Sequence, residues 1–228
     1  ALFGAPFSSA EVALAPAGTV TLDYVSCREM RLRYAGAVNY SVTLTRTIGE
    51  LQGSTSCASS AASSMPIAAK AAAAGSFGGT MSGTWWNPQR SGEGQLLNFE
   101  TVGGRNVAFL AWFTYDDQRR ASWLVGSVDF QPDARSLSIP LVRGSGASFG
   151  ATFSPADVVT AAAGTATIEY VSCRELRLRY TGAVNYSVTL TRTIGQLLGS
   201  TACGPATPAV ATKAAAFAVL IRLVGSAA

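Results

Sequence analysis

YVSCREMRLRYAGAVNYSVTLTRTIGELQGSTSC, residues 24–57, returns at residues 170–203 as YVSCRELRLRYTGAVNYSVTLTRTIGQLLGSTAC. Extended back to Pro16 and Ala162, the two copies share about 33 of 42 positions. A fainter echo at the same offset links ALFGAPFSSAEV (1–12) to ASFGATFSPADV (147–158). Each copy alternates apolar and polar residues. In the first, Val20, Leu22 and Tyr24 lie opposite Thr19, Thr21 and Asp23. Met30, Leu32 and Tyr34 lie opposite Glu29, Arg31 and Arg33, and Tyr40, Val42 and Leu44 opposite Ser41, Thr43 and Thr45. Period-2 alternation over three runs, with a turn at residues 36–39, predicts an antiparallel meander with one buried face. On its polar face, Asp23 and Glu29 are placed to pair with Arg31 or Arg33.

Residues 81–146 have no counterpart elsewhere in the chain, and they supply strands that the repeat lacks. SGTWWNPQRSGEG opens a strand and turns at Asn87–Pro88 and Ser91–Gly92. Gln95 to Glu100 forms a second strand, and Gly103–Gly104 marks a hairpin. NVAFLAWFTY (106–115) is apolar on both sides, with Phe109 and Phe113 on one and Leu110 and Trp112 on the other. Such a strand needs covering on both faces. ASWLVGSVDF and SLSIPLV follow, after a turn at Asp116–Gln118. With the three strands of the second copy, roughly eight strands fall within 81–203. The expected fold is all-β, an antiparallel meander barrel with a β-sandwich as the alternative. It divides into a half module (1–57, three to four strands), an Ala/Ser/Gly linker (58–80), a complete module (81–203) and an apolar tail (204–228).

Composition narrows the function classes. Hydrophobic residues make up 48% and charged residues 13% of the 228, so a neutral, hydroxyl-rich surface is expected. No histidine is present, which removes the commonest general base and most transition-metal ligand sets. The acidic residues form no obvious pair, so no catalytic residue, cofactor or metal is assigned. The net charge of +4 comes without basic runs, so no nucleic-acid partner is expected. Arg28, Arg31 and Arg33 each lie near an acidic residue. No apolar run reaches the roughly 18 residues of a membrane span. The cysteines fall as two equivalent pairs, Cys27/Cys57 and Cys173/Cys203, too widely spaced for an ordinary zinc site. One disulfide within each copy is the expected pairing, and it places the protein in an oxidising compartment: secreted, at the cell surface or in the periplasm. The chain opens on Ala1 with neither an initiator methionine nor a signal peptide, as a mature secreted chain or a fragment would.

SGTWWNPQRSGEG, followed by FLAWFTYDDQRRASWLVGS and VNYSVTLTRT, resembles a G-x-W-W-N-P-x-x-S-G-x-G module repeated in secreted bacterial β-proteins of uncharacterised function. The resemblance covers residues 81–194 and, as a half copy, 1–48. It implies a secreted β module and no particular activity. The Gly83–Asn87 opening also resembles the first strand of avidin-like and other calycin barrels, which implies an up-and-down barrel.

All four tryptophans, Trp85, Trp86, Trp112 and Trp123, lie in the front half of the complete module. They pack a core and a module interface, or they form a platform for a glycan or small ligand with Asn87, Arg90 and Glu93 as polar partners. Trp85 and Trp86 cannot face the same core. Ser91–Gly94 reads as a turn, having neither a P-loop lysine nor a GxSxG setting. Asp116–Asp117 is too short for a calcium loop.

Two function classes follow. One is a structural protein that self-associates, into a fibre or surface layer, or takes another subunit to complete residues 1–57. It would use open sheet edges and an apolar tail bearing Phe217, Val219, Leu220, Ile221 and Leu223. The other is a glycan- or small-ligand-binding module using the tryptophans.

Overall fold

The computed structural model describes residue 3 and residues 7–46, 50–51 and 76–193. Cys57, Cys203, the linker as far as residue 75 and the tail residues Phe217, Val219, Leu220, Ile221 and Leu223 lie outside the described residues.

The first copy forms a three-stranded antiparallel sheet: β1 (Gly18–Ser26), β2 (Glu29–Gly36) and β3 (Asn39–Thr45). A two-residue strand, β4 (Glu50–Leu51), follows. The second unit comprises β5 (Gly83–Trp86), β6 (Gly94–Val102), β7 (Arg105–Tyr115), β8 (Ala121–Asp129), β9 (Ser136–Ser145), β10 (Val159–Ser172), β11 (Glu175–Thr181) and β12 (Tyr186–Arg192). Each of these strands pairs with the next, and β12 pairs with β5, so eight strands close an up-and-down barrel. Closure removes the free edges of the sheet except along the part of β6 that runs past the short β5.

Alternation along the strands fills the interior. On β11, Leu176, Leu178 and Tyr180 are buried, whereas Glu175, Arg177 and Arg179 face water. Leu97, Leu110, Trp112, Leu124, Ile139 and Ile168 complete the packing around Trp85. β7 turns Leu110 and Trp112 inward and Phe113 outward, beside Trp123 of β8. Among the described residues, the expected second cover over this strand is incomplete, because Phe113 and the neighbouring Trp123 remain exposed.

The eight strands define two ends. At the mouth lie the β5–β6 turn, the β7–β8 turn, the long β9–β10 connection and the β11–β12 hairpin. At the base lie residues 76–82 and the Gly103–Gly104 hairpin, whose positive φ angles of 56° and 79° suit glycine. Residues 76–80, read from sequence as the end of a linker, belong to this base. Phe77 is fully buried against Phe99 and Tyr170, and its N–H donates to the Ala134 carbonyl.

The repeat is conserved as structure. β1–β2 and β10–β11 share one register, including an irregularity after Tyr24 and after Tyr170. The Tyr34 hydroxyl donates to the Ala17 carbonyl as Tyr180 does to Ala163. Asp23 pairs with Arg33, while Glu169 pairs with Arg177 and Arg179. Cys27 and Cys173 occupy the equivalent hairpin turns.

The first copy does not stand apart from the barrel. β4 adds to β6 at Glu100 and Thr101, the edge that the short β5 leaves uncovered. Phe3 reaches the barrel mouth and packs on Trp112, Tyr180 and Tyr186. In return, Phe149 of the β9–β10 connection packs on Tyr34 and Tyr40. Phe3 and Phe149 are equivalent positions, and so are the two tyrosine pairs. Each copy therefore lends its phenylalanine to the other's tyrosines.

Candidate functional site

The barrel mouth gathers three of the polar residues singled out in the sequence. The WWNPQRSGEG turn is held by Asn87, whose Oδ1 accepts from the Gln89 N–H at 2.8 Å while its Nδ2 donates to the Thr189 carbonyl on β12 at 2.9 Å. The turn brings Arg90 back onto Glu93, with Nε donating to Oε2 at 2.7 Å. Glu93 is buried, and its other oxygen accepts from Trp112 Nε1 at 2.8 Å, from the Tyr186 hydroxyl at 3.1 Å and from Thr114 at 3.3 Å. The Arg90 guanidinium lies between the rings of Phe7 and Tyr186, 4.4 and 5.1 Å from their centroids. Gly92, at φ 101°, permits Val12 to close against the turn.

A buried carboxylate with a guanidinium and three neutral donors is satisfied from within. Burial, with the nearby Glu93 charge, pushes the Tyr186 hydroxyl far above its usual range and keeps it a donor. Tyr115 is raised for the same two reasons. On the β7–β8 turn, burial would raise the Asp116 carboxyl. Hydrogen bonds from the Arg120 and Gln118 backbone and from the Arg120 guanidinium outweigh it and hold that carboxyl low. The gap lined by Asn87, Arg90, Glu93, Gln95, Val188 and Leu190 is too tight to admit a water molecule. This polar cluster locks the mouth.

At the base, Arg192 at the end of β12 donates to the carbonyls of Thr80 and Ser82 at 2.6 and 2.8 Å. Its guanidinium lies over the Trp85 ring, 5.9 Å from the centroid. Burial, with Arg174 nearby, lowers its pKa. Trp85 donates from Nε1 to the Met81 carbonyl at 3.1 Å. The 3-10 turn Gly79–Met81 is thus tied to both the first and last strands of the barrel.

The four tryptophans form no common platform. Trp85 and Trp112 are fully buried, with their indole N–H groups occupied, whereas Trp86 is half-buried on the barrel wall. Trp123 is exposed on β8, beside Phe113. Among the described residues, no group of three or more His, Cys, Asp or Glu side chains is placed to hold a metal, and no helix is long and apolar enough to cross a membrane.

Among the described residues, exposed large apolar side chains gather on the sheet β1–β3. Leu22 is 55% exposed where its equivalent Ile168 is 0%. Met30 is 43% exposed against 0% for Leu176, and Leu44 38% against 1% for Leu190. Five strands, β5–β9, cover the second copy. No described strand covers the first copy's apolar face, and neither β1 nor β3 has a neighbour on its outer edge among the described residues. Comparison with protein-family models, with curated proteins and with solved structures finds no match to this chain.

Sequence reasoning identified Asn87, Arg90 and Glu93 but missed what they meet. Tyr186, Thr114 and Arg192 were not singled out, since strand alternation alone does not mark their partners. Phe3 carried a signal in the 1–12 and 147–158 echo, since a phenylalanine kept at both positions implies two equivalent contacts.

Proposed function

We propose that this chain is a secreted structural subunit that assembles through the open sheet β1–β3. The observation that carries this reading is the contrast between the two copies: nearly the same strands, with their apolar face buried in one and open to water in the other. Burying a large aliphatic side chain contributes about 1.5–3 kcal/mol. Leu22, Met30 and Leu44 are already about half covered, so together they add about 2–4 kcal/mol, and association also needs the rest of an interface of roughly 1,000 Å². The edges of β1 and β3 add backbone donors and acceptors that a further strand can pair. The satisfied mouth and the filled interior support a scaffold role over ligand binding inside the barrel. In this reading Cys27 with Cys57 and Cys173 with Cys203 form one bridge per copy in an oxidising compartment, and the tail 214–224 adds a second contact.

Light scattering across a wide concentration range tests the proposal. The full chain is expected to associate, and Leu32→Asp, which charges the open face, to abolish association. A monomer at every concentration, or association indifferent to Leu32→Asp, would contradict it. A second reading, ligand binding on the outer wall, rests on the exposed Phe113–Trp123 pair. It predicts a change in tryptophan emission on adding glycans that is lost in Trp123→Ala. No response from the parent chain would remove it.

A further inference from the structure

We infer that the open sheet β1–β3 is a socket for one kind of partner: a five-stranded opening half with the chemistry of β5–β9, which would complete a second barrel beside the first. The inference starts from the same open sheet as the assembly reading but assigns it a different occupant, so the two stand or fall separately.

Three observations point to that occupant. The first is the near-identity of the barrel-facing side chains. Leu178, Tyr180, Tyr186, Val188, Leu190 and Arg192, which meet the barrel interior and base, correspond to Leu32, Tyr34, Tyr40, Val42, Leu44 and Arg46. The backbone matches as well, since the Arg46 N–H donates to the Arg28 carbonyl as Arg192 does to Arg174. The inward face departs at three positions, where Ala166, Ile168 and Leu176 are matched by Val20, Leu22 and Met30, apolar in both copies. A surface this close to β10–β12 is complementary to whatever covers β10–β12.

The second is the state of the two connecting arms. Phe3 and residues 7–12 touch both halves of the barrel. Phe3 meets the closing-half tyrosines, while Phe7 meets Arg90 and Tyr115, Val12 meets Gly92, and Glu11 pairs with Arg119 at 3.6 Å, all on the opening half. In the equivalent arm, Phe149 already sits on Tyr34 and Tyr40, yet Phe153, the counterpart of Phe7, is 54% exposed and Val158 is also exposed. Asp157 carries the carboxylate at Glu11's position. The arm is docked on the closing half, and the side chains that would touch an opening half face water.

The third is the base. Tyr170 is covered by Phe77 and by Arg135, whose guanidinium lies 5.6 Å from the ring centroid. Its twin Tyr24 is the most exposed of the large apolar side chains. A partner with aromatic and cationic groups at these places, and a carboxylate to take the Tyr40 hydroxyl, fits every open position.

Stoichiometry argues against a second copy as the occupant. The described residues hold two closing halves and one opening half, and that opening half is engaged by β10–β12. Exchange between copies would free one closing half for each it filled. The partner must bring an opening half of its own.

The test supplies one. A second segment 76–146 is joined directly before Ala1 of the full chain, in the order in which residues 76–146 precede Ala147. Amide exchange of β1–β3 and tryptophan emission are then compared with the parent. The expected result is that β1–β3 becomes as protected as β10–β12 and the added tryptophans emit as buried ones. Leu32→Asp in the fusion should release the added segment and leave the original barrel folded. If β1–β3 exchanges as fast as in the parent while the added segment is disordered, the inference is overturned. Protection of β1–β3 by parent-chain dimerisation with no uptake of the added segment would also overturn it, while sparing the assembly reading. A parent that stays monomeric while the fusion closes its second barrel would overturn self-assembly and uphold the socket.

Discussion

β1–β3 and β10–β12 are nearly one sequence in two environments. Register, hairpin turns, the irregularity after the shared tyrosine and the tyrosine-to-carbonyl bond are the same in both. Burial is not. The comparison separates two levels of information. Alternation and turn chemistry suffice to fix which residues pair and which face they share. Whether the apolar face becomes a core depends on a partner sheet that the strands do not encode. The same face is a barrel interior at Ile168 and Leu176 and open to water at Leu22 and Met30.

The strongest way to break the comparison is to charge the same position in both copies. Leu178→Asp places an unpaired carboxylate among fully buried side chains and should cost upwards of about 4 kcal/mol, enough to unfold the barrel. Leu32→Asp should cost the monomer far less, about 1–2 kcal/mol, because Leu32 is only half-buried. Denaturant melts of the two variants check both values, and equal losses would show that the first copy is as well covered as the second.

The exchanged phenylalanines come next. Phe3 meets three rings at the barrel mouth, so Phe3→Ala should cost about 2–3 kcal/mol, at the low end for a partly buried aromatic. Phe149→Ala, at the half-built mouth, should cost under about 1 kcal/mol. Thermal unfolding distinguishes them. In a chain whose second barrel has been completed, the gap should narrow.

An alkaline titration sharpens the contrast further. Tyr186 keeps its proton in the fold because of burial and the Glu93 charge, whereas an unfolded tyrosine ionises near pH 10. Its folded-state pKa is raised, so the contribution is fully present below about pH 10. Above that, the unfolded chain binds fewer protons than the folded one, and stability falls by up to about 1.4 kcal/mol per pH unit for this group. Tyr186→Phe should flatten that fall, measured by urea midpoints from neutral to strongly alkaline pH. The smallest effect is expected at the polar faces. Asp23→Asn and Glu169→Gln each remove exposed ion pairs and should shift stability by no more than about 1 kcal/mol.

Much of this architecture was legible in the residues. Alternation placed β1–β3 and β10–β12, paired glycines placed the β6–β7 hairpin, and counting strands gave the barrel. Closure of β12 onto β5 was less visible, because it rests on a few residues at the end of each strand. The base was misread for a physical reason. Residues 76–80 are rich in Gly, Ser and Thr, as linkers are, and only Phe77 marks them as core. The crossing of arms between the copies depends on contacts far apart in sequence, such as Phe3 with Tyr186, which no local pattern carries. At the mouth, the turn residues Asn87, Arg90 and Glu93 were identifiable, while the tryptophans left two readings open, core packing or a ligand platform. Their sheet positions divide them between core and surface.

The most direct test of the central claim is residue-level hydrogen exchange of the dilute, monomeric chain, comparing each β1–β3 amide with its twin in β10–β12. The account predicts that β10–β12 exchanges only through global opening of the barrel, while β1–β3 exchanges through far less costly local opening. Equal protection of the two sets in the monomer would contradict it.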